Sequence, residues 1–592
     1  MTVEIPVKTK TAVAKEPEKG RSMIDNSAAA PTSSTSPAAH KSPAPPGNDL
    51  RSGPSVVRRP FDLEAYVADF RGPVLEAYRT GLADVELAAD AGVGRSLIPP
   101  GTAAARDFST LSPLIPGFDP ERCVGCMACV SACPDSALFA TAQPRGGLEA
   151  ALERLTAATP DPVNAPAATA SVRTHFAVTA KYADVPARRG LEPADFGLFV
   201  DPAHCKGCGE CVEVCAALGH NALGMIPKLE VEPQSGVSTL ERYRADLAFA
   251  RTLPPTPREY RNEKALADLM LSPAAMSGFT GGAGSCSGCG EGTAVRLVLA
   301  ATLGVYGEGS MGVVAETGCN TVFGSTYPYN PYRVPWTNSL FENGPADAMG
   351  IRLRWDQAGH ASRRLWVFGG DGAMYDIGLQ SLSRLLTSGM DIKVLVLDTG
   401  AYSNTGGQAS TASFTAQVAK LAAYGKASHG KREHRKELGR IAMAHGEVYV
   451  AQVSASNLNH FYRAVMEANE YSGPALIIAY APCMPENGIA DDLANAQGKL
   501  AVESRAFPLF VYDPRKGPSL RERLSLSGNP ALKEDWSKNP DGTICDFISF
   551  ARTEGRFAAH FDKSGKPSSD LEDSQADRLA NWHTLQEMAG IR

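Results

Sequence analysis

Twelve of the 13 cysteines fall into three sets whose spacing could hold metal. The first set is Cys123-x2-Cys126-x2-Cys129-x3-Cys133, followed by Pro134. The second is Cys205-x2-Cys208-x2-Cys211-x3-Cys215, followed by Ala216 instead of proline. Three cysteines two residues apart on a tight loop can hold three corners of a four-iron cube. The fourth starts a helix and points to the other cube. This spacing assigns one [4Fe–4S] cluster to Cys123, Cys126, Cys129 and Cys215, and another to Cys205, Cys208, Cys211 and Cys133. Zinc is the competing ion, but zinc sites are built from C-x2-C pairs, which explain two consecutive 2-2-3 runs poorly. The third set is dispersed: Cys286-x2-Cys289, Cys319 and Cys483. By spacing alone it reads in three ways: a redox pair at Cys286 and Cys289, plain buried thiols at Cys319 and Cys483, or a third cluster gathered at one sheet edge. Cys545 is left over and reads as a bystander.

A second pattern points to a diphosphate and its metal. The run LWVF (365–368) leads into Gly369-Gly370-Asp371-Gly372, and KVLVL (393–397) ends at Asp398-Thr399. Gly-Asp-Gly followed, after 26 intervening residues (373–398), by a side-chain oxygen is how thiamine diphosphate enzymes hold Mg2+. Mg2+ prefers octahedral oxygen ligands and bridges phosphates with few protein groups. Asp371 offers a carboxylate, Thr399 a hydroxyl and Ala401 a backbone carbonyl. Glycines let the backbone approach the phosphates closely. Most thiamine enzymes place Asn at the second point, where this chain has Thr399. The competing reading of Gly-Asp-Gly is an ordinary strand-to-helix turn.

These groups need a scaffold. Short apolar runs at 365–368, 393–397, 448–453 and 475–480 alternate with helix-like stretches such as MYDIGLQSLSRLL and NLNHFYRAVMEANEY. That alternation predicts βαβ units and a parallel sheet, an α/β doubly wound domain. Cys483 follows one of these strands, at the sheet edge where α/β sites form. The chain has 592 residues, a formal charge of −6, 43% hydrophobic and 21% charged residues. This is ordinary for a globular protein of several domains and lacks the basic stripe of a nucleic-acid binder. No apolar run is long enough to span a membrane, and the N-terminus has no secretory h-region. We divide the chain into a disordered Ala/Pro/Ser/Thr-rich tail (1–58), a helical element (59–114, interrupted at Gly72-Pro73), a ferredoxin-like α+β domain (115–235), a thiamine diphosphate domain (236–500) and a C-terminal arm (501–592). The ferredoxin-like domain carries a peripheral insertion at 142–192, and the arm ends in a helix at 570–590.

Longer strings now resemble a known family. GGDGAMYDIG (369–378), LDTGAYSNTGGQAS (397–410), GCGEG (288–292), ETGCN (316–320), NSLFENGPADAMG (338–350) and IIAYAPC (477–483) are similar to pyruvate:ferredoxin oxidoreductase. The resemblance covers about residues 115–590, matching the C-terminal half of the single-chain enzymes. It implies that Cys286, Cys289, Cys319 and Cys483 hold a proximal [4Fe–4S] cluster. It implies Mg2+ on Asp371, Thr399 and the Ala401 carbonyl. Thiamine diphosphate would then contact Gly370, Asp371, Gly372, Ala373, Thr399, Gly400, Ala401, Tyr402, Ser403 and Asn404, with Glu291 and Cys319 beside it. Asn404 is the family's side chain closest to the reacting carbonyl, and Glu291 is the second catalytic candidate. Gly400 departs from the family, which commonly has Glu there.

The implied reaction is oxidative decarboxylation of a 2-oxo acid, pyruvate first, with coenzyme A as co-substrate. It gives acyl-CoA and CO2, and electrons leave through three clusters to ferredoxin or flavodoxin. Thiamine chemistry also needs a pyrimidine-binding domain with an activating Glu, and this chain has no room for one. We therefore expect a partner chain, an α2β2-type assembly and a cytoplasmic location. Two other readings compete: a non-oxidative thiamine decarboxylase, and an electron-transfer subunit with an inactive cofactor fold. The charged run HGKREHRKE (429–437) reads as a solvated helix face ahead of a coenzyme A or ferredoxin contact. The 11 histidines form no ligand-like pair.

Overall fold

The computed structural model describes residues 62–87, 97–159, 165–231, 236–281 and 284–592. The expected tail at 1–58 lies outside them. Near the start, helices Leu63–Asp69 and Leu75–Thr80 flank a wide π turn at Phe70–Val74 that contains Pro73. The expected break at Gly72-Pro73 is thus a widened turn. A π turn satisfies the backbone while tolerating the missing proline N–H.

The cysteine-rich region has two small sheets. Strand β1 (Leu114–Phe118) is followed by β2 (Leu138–Pro144), β3 (Phe176–Ala177), β4 (Ala194–Val200) and β5 (Leu223–Pro227). β1 pairs antiparallel with β5, from Leu114 opposite Pro227 to Phe118 opposite Leu223. β4 lies between β2 and β3, antiparallel to both. The expected insertion therefore contributes strands, and it is not merely peripheral. Its Tyr182 stacks on Phe196 and fills the space beside Gly125, while Lys181 Nζ donates to the Gly125 carbonyl at 3.1 Å. The region also continues past residue 235: Asp246, on helix Thr239–Ala250, accepts from the buried His175 ring at 3.0 Å.

The second half holds an eight-stranded sheet in the order β13-β12-β10-β11-β9-β8-β6-β7. Its strands are β6 (Met311–Glu316), β7 (Trp336–Ser339), β8 (Arg364–Gly370), β9 (Ile392–Asp398), β10 (Tyr449–Ser454), β11 (Ala475–Tyr480), β12 (Phe510–Tyr512) and β13 (Leu524–Ser525). From β10 to β7 every pairing is parallel. β9, β10 and β11 are buried at every residue, as expected for parallel strands covered on both faces. β12 and β13 add antiparallel to this edge, so the segment expected as an arm completes the sheet. The four strands expected from apolar runs are β8, β9, β10 and β11. Helix Gly290–Tyr306 is buried at every residue from Gly290 to Leu303, and its apolar sequence suits a position between layers. No helix among the described residues is long and apolar enough to cross a membrane.

His460, on helix Leu458–Glu470, is buried and neither ring nitrogen meets a partner. Burial, with Arg463 adding to it, pushes its pKa down to about 4. The unfolded imidazole takes up a proton near pH ~6.5, so this residue removes stability as pH falls from there toward the folded value. His460→Leu should lose less thermal stability than wild type between pH 7 and 5 in scanning calorimetry. Parallel pH curves for the two proteins would contradict this.

Candidate functional site

The first two cysteine sets line two small cavities. One is lined by Cys123, Cys126, Cys129 and Cys215, the other by Cys133, Cys205, Cys208 and Cys211. The fourth cysteine of each run thus crosses to the other cavity, as the spacing predicted. Helices Ala128–Ala132 and Glu210–Ala217 carry out this exchange. Burial pushes the Cys123 thiol up to about 11 and Cys205 to about 12. Backbone N–H groups of Gly125, Ala137 and Ala222 donate to the sulfurs of Cys123, Cys133 and Cys215 at 3.2–3.4 Å. Desolvated sulfurs that already accept backbone hydrogen bonds suit a bound iron–sulfur group, which supplies the missing positive charge. Among the described residues no three His, Cys, Asp or Glu side chains converge on a single-ion site.

The third cysteine set gathers at the C-terminal edge of the large sheet. Cys289 caps helix Gly290–Tyr306, Cys319 begins helix Cys319–Ser325 after β6, and Cys483 follows β11. Gly290 N donates to the Pro482 carbonyl at 3.2 Å, and a Cβ on Gly290 would meet that backbone at 2.6 Å. Only glycine lets the Cys289 helix approach the Cys483 loop this closely. The thiols of Cys289, Cys319 and Cys483 are raised, first by burial and then by the charges of Glu291 and the neighbouring cysteines. The charge of Cys286 acts on all three of these thiols. Cys545 is buried far along the chain, on a two-stranded hairpin with Ser537, and joins none of the sets.

β8 and β9, adjacent in the sheet, deliver the expected metal ligands. Asp371 lies just past β8 and Thr399 just past β9. Thr399 Oγ1 is 3.1 Å from Asp371 Oδ1 and 2.9 Å from the Ala401 carbonyl oxygen, so the three oxygens already face one another. Ser403 Oγ donates to Thr399 Oγ1 at 2.8 Å, and Ser410 donates to Asp371. Burial, then the charge of Asp398, pushes Asp371 up to about 7. An all-oxygen set around a carboxylate that resists ionisation fits a divalent cation such as Mg2+, which would hold that charge.

These oxygens open into a half-open cavity. It is lined by Glu291, Cys319, Gly370, Asp371, Gly372, Ala373, Ala401, Tyr402, Ser403 and Asn404. Thr399 and Gly400 stand just behind it, buried. Burial, with Asp371 adding to it, pushes Glu291 up to about 8, and its Oε2 meets no partner. Asn320, beside Cys319, is fully buried with both amide atoms unpaired. Such orphaned polar atoms suit a polar occupant. Asn404 sits exposed at the rim.

Several supporting residues escape the motifs. The Thr399 carbonyl accepts from Asn487 Nδ2 and from Arg556 Nη1, each at 3.2 Å. Asn487 Oδ1 also takes the Cys483 N–H at 2.7 Å, which ties the third cysteine set to the metal loop. The Gly400 carbonyl accepts from Ser413 and from Gln417 Nε2 at 2.7 Å. Gly400 has φ +70°, and a Cβ there would meet Arg556 Nη1 at 2.9 Å, which accounts for glycine at this point. Arg435 is buried and pairs with Asp398 at the end of β9, where Tyr375 also donates. The run 429–437 is therefore not a solvated helix face: no helix forms there, and Lys431 and Arg435 are buried behind the site. Arg435→Met would strand Asp398 without its counter-charge, at an expected cost of about 3–5 kcal/mol. Adding Asp398→Asn should recover part of that loss in thermal unfolding. A single variant with an unchanged midpoint would refute the role of the pair.

Comparison with known proteins agrees with this geometry. The family described as thiamine pyrophosphate enzyme, C-terminal TPP binding domain, matches residues 316–479. Two families described as 4Fe-4S binding domain match residues 116–139 and 202–218. The chain is 29% identical over 607 residues to "Probable pyruvate-flavodoxin oxidoreductase" of Escherichia coli (strain K12), covering 91% of this chain and 46% of that protein. It is 30% identical over 513 residues to the pyruvate:ferredoxin oxidoreductase of Moorella thermoacetica, covering 73% and 39% respectively. For the pyruvate-flavodoxin oxidoreductase of Rhodospirillum rubrum the identity is 28%, with 80% of this chain and 41% of that protein covered. The chain thus spans less than half the length of these relatives. The chain carries a thiamine pyrophosphate-binding domain and two 4Fe-4S binding domains, and over most of its length it is similar to pyruvate:ferredoxin and pyruvate-flavodoxin oxidoreductases.

Proposed function

We propose that this chain is the cofactor-bearing, β-type subunit of a 2-oxo acid:ferredoxin or flavodoxin oxidoreductase, with pyruvate as substrate. With its partner chain it converts pyruvate and coenzyme A to acetyl-CoA and CO2, passing the two electrons released to ferredoxin or flavodoxin, in the cytoplasm. One observation carries the proposal: Cys319 lines the same cavity as Asp371 and Asn404. A redox-active cysteine set beside a diphosphate site has a use in an oxidative thiamine enzyme and none in a non-oxidative one.

In this reading Asp371, Thr399 and the Ala401 carbonyl hold Mg2+, which binds the diphosphate. Thiamine diphosphate, when bound, supplies a nucleophilic carbon and an electron sink for decarboxylation. The chain's residues do the rest. Tyr402 and Ala373 line the cavity, and Asn404 at its rim meets the substrate carbonyl. Glu291, held largely protonated at neutral pH, donates a hydrogen bond toward the cofactor. Cys286, Cys289, Cys319 and Cys483 would hold a third [4Fe–4S] cluster, which would supply a one-electron path toward the two ferredoxin-type sites.

The partner chain supplies the pyrimidine-binding domain, the activating Glu and most of the coenzyme A site, in an α2β2-type assembly. The open side of the cavity supports this. Asn404 and Thr405 are exposed there, and Ile377 on its lining is 63% exposed. Leu340 and Phe341, next to the lining residue Glu342, are 62% and 84% exposed. Exposed apolar groups around a polar cleft mark a surface that another protein covers.

The complex should be purified with whatever chain accompanies it. Thiamine diphosphate is then sought by extraction and mass spectrometry, and coenzyme A-dependent viologen reduction is assayed with several 2-oxo acids. Pyruvate should reduce the dye fastest, and absence of the cofactor would sink the proposal. Cys289→Ser should retain partial decarboxylation while viologen reduction is lost. Normal dye reduction by that variant would show that the third cysteine set is not the electron path.

A further inference from the structure

The helix that Cys289 caps carries one cation into the seam with the cysteine-rich region. Arg296 lies two turns along it, about 10 Å by helical rise, and is 2% exposed. Its Nε donates to Ser136 Oγ at 2.8 Å. Its Nη1 donates to the carbonyls of Val130 at 2.5 Å and Cys133 at 2.9 Å. Nη2 meets no acceptor, and no carboxylate pairs with the guanidinium among the described residues.

A buried charge without a counter-charge is strongly unfavourable. The fold nonetheless places one here and grips it with three acceptors. The anionic groups whose charge reaches it are Cys133 of the adjacent cavity first, and then Asp135. Cys133, whose carbonyl Arg296 holds, lines that cavity with Cys205, Cys208 and Cys211. Burial pushes the Cys133 thiol up, and the guanidinium is the leading influence in the opposite direction.

Other cations near this cavity are balanced. Lys206 lies 2.8 Å from Asp135. Lys228 donates to the Ser109 carbonyl at 3.0 Å and has the charge of Asp107 nearby. Arg296 makes no ion pair, and the charge of Asp135, which is paired with Lys206, acts on it only after that of Cys133.

We infer that Arg296 is a positioning residue that raises the reduction potential of the cluster on Cys133, Cys205, Cys208 and Cys211. This rests on the iron–sulfur reading above. A fixed positive charge in a low-dielectric seam stabilises the more negative, reduced cluster. The step it favours is one electron leaving the Cys286, Cys289, Cys319 and Cys483 cluster, oxidised by one, and entering this one, reduced by one. No proton moves, because a guanidinium stays charged throughout.

The test compares full-length wild type, Arg296→Gln and Arg296→Lys. Iron and sulfide are counted first, and each cluster is then titrated by EPR-monitored reduction. Arg296→Gln should shift the reduction equilibrium of this cluster at least tenfold toward the oxidised form, a fall of 59 mV for one electron. Arg296→Lys, which keeps the charge, should stay within about threefold of wild type, since tenfold is the unit being resolved. A loaded Arg296→Gln with unmoved potentials overturns the inference, and so does an equal fall in both variants. If Arg296→Gln fails to retain iron, Arg296→Lys decides. Retention at the wild-type potential shows that the charge is what the site needs, and a tenfold or greater fall overturns it. Wild type devoid of iron would refute the iron–sulfur reading itself, which is a different result.

Discussion

The carbonyl of Thr399 is the fixed point around which the site is built. It is held from two sides, by Asn487 from the Cys483 loop and by Arg556 from the C-terminal segment. That double grip fixes the peptide, and the peptide aims the Thr399 hydroxyl at Asp371 and at the Ala401 carbonyl. A carbonyl buried without such partners would cost free energy that a tight loop could not recover. Three distant parts of the sequence thus converge on one oxygen. The position of the metal ligands depends on the cysteine loop and on the C-terminal segment as much as on β8 and β9.

The seam between the two halves obeys the same rule. Helix Gly290–Tyr306 serves both at once, its first turn facing the cofactor cavity and its second charged residue, Arg296, gripping the Cys133 loop. Glu210, between Cys208 and Cys211, reaches back to accept from Ala494 N at 3.0 Å and Asn495 N at 2.7 Å. Buried polar contacts of this kind are directional, so they set the spacing of the cysteine sets more tightly than apolar packing would.

The two ferredoxin-like cysteine runs, Asp371 and Thr399 were legible in the sequence because their chemistry is local, whereas Cys286, Cys289, Cys319 and Cys483 were joined only through the family resemblance. Two residues of spacing decide how a loop wraps a cube, and a strand end decides where a carboxylate stands. The four strands rich in Val, Ile and Leu were legible for the same reason. β6 and β7 were not: Trp336–Ser339 is short and largely polar, and Met311–Glu316 declares itself only by pairing. Arg435, Asn487 and Arg556 were invisible because each acts on a residue far away in sequence. The run 429–437 misled outright: charged composition implies solvent, but a charge that finds a buried opposite charge can be drawn inward. At Gly400 a backbone in the left-handed region and a crowding guanidinium explain a residue that the sequence could only flag as unusual.

The crossed cysteines have a topological consequence. Each small cavity takes three sulfurs from one run and one from the other, so neither run can complete a site alone. Once filled, the two sites act as paired crosslinks that tie the ends of the intervening segment together. The entropy of closing such a loop grows only logarithmically with its length. A long segment can therefore be accommodated between the runs at small thermodynamic cost, and strands β2, β3 and β4 with their helices occupy that allowance. Cutting the chain anywhere between Cys133 and Cys205 would leave the sites intact once formed, yet would make their formation a bimolecular event.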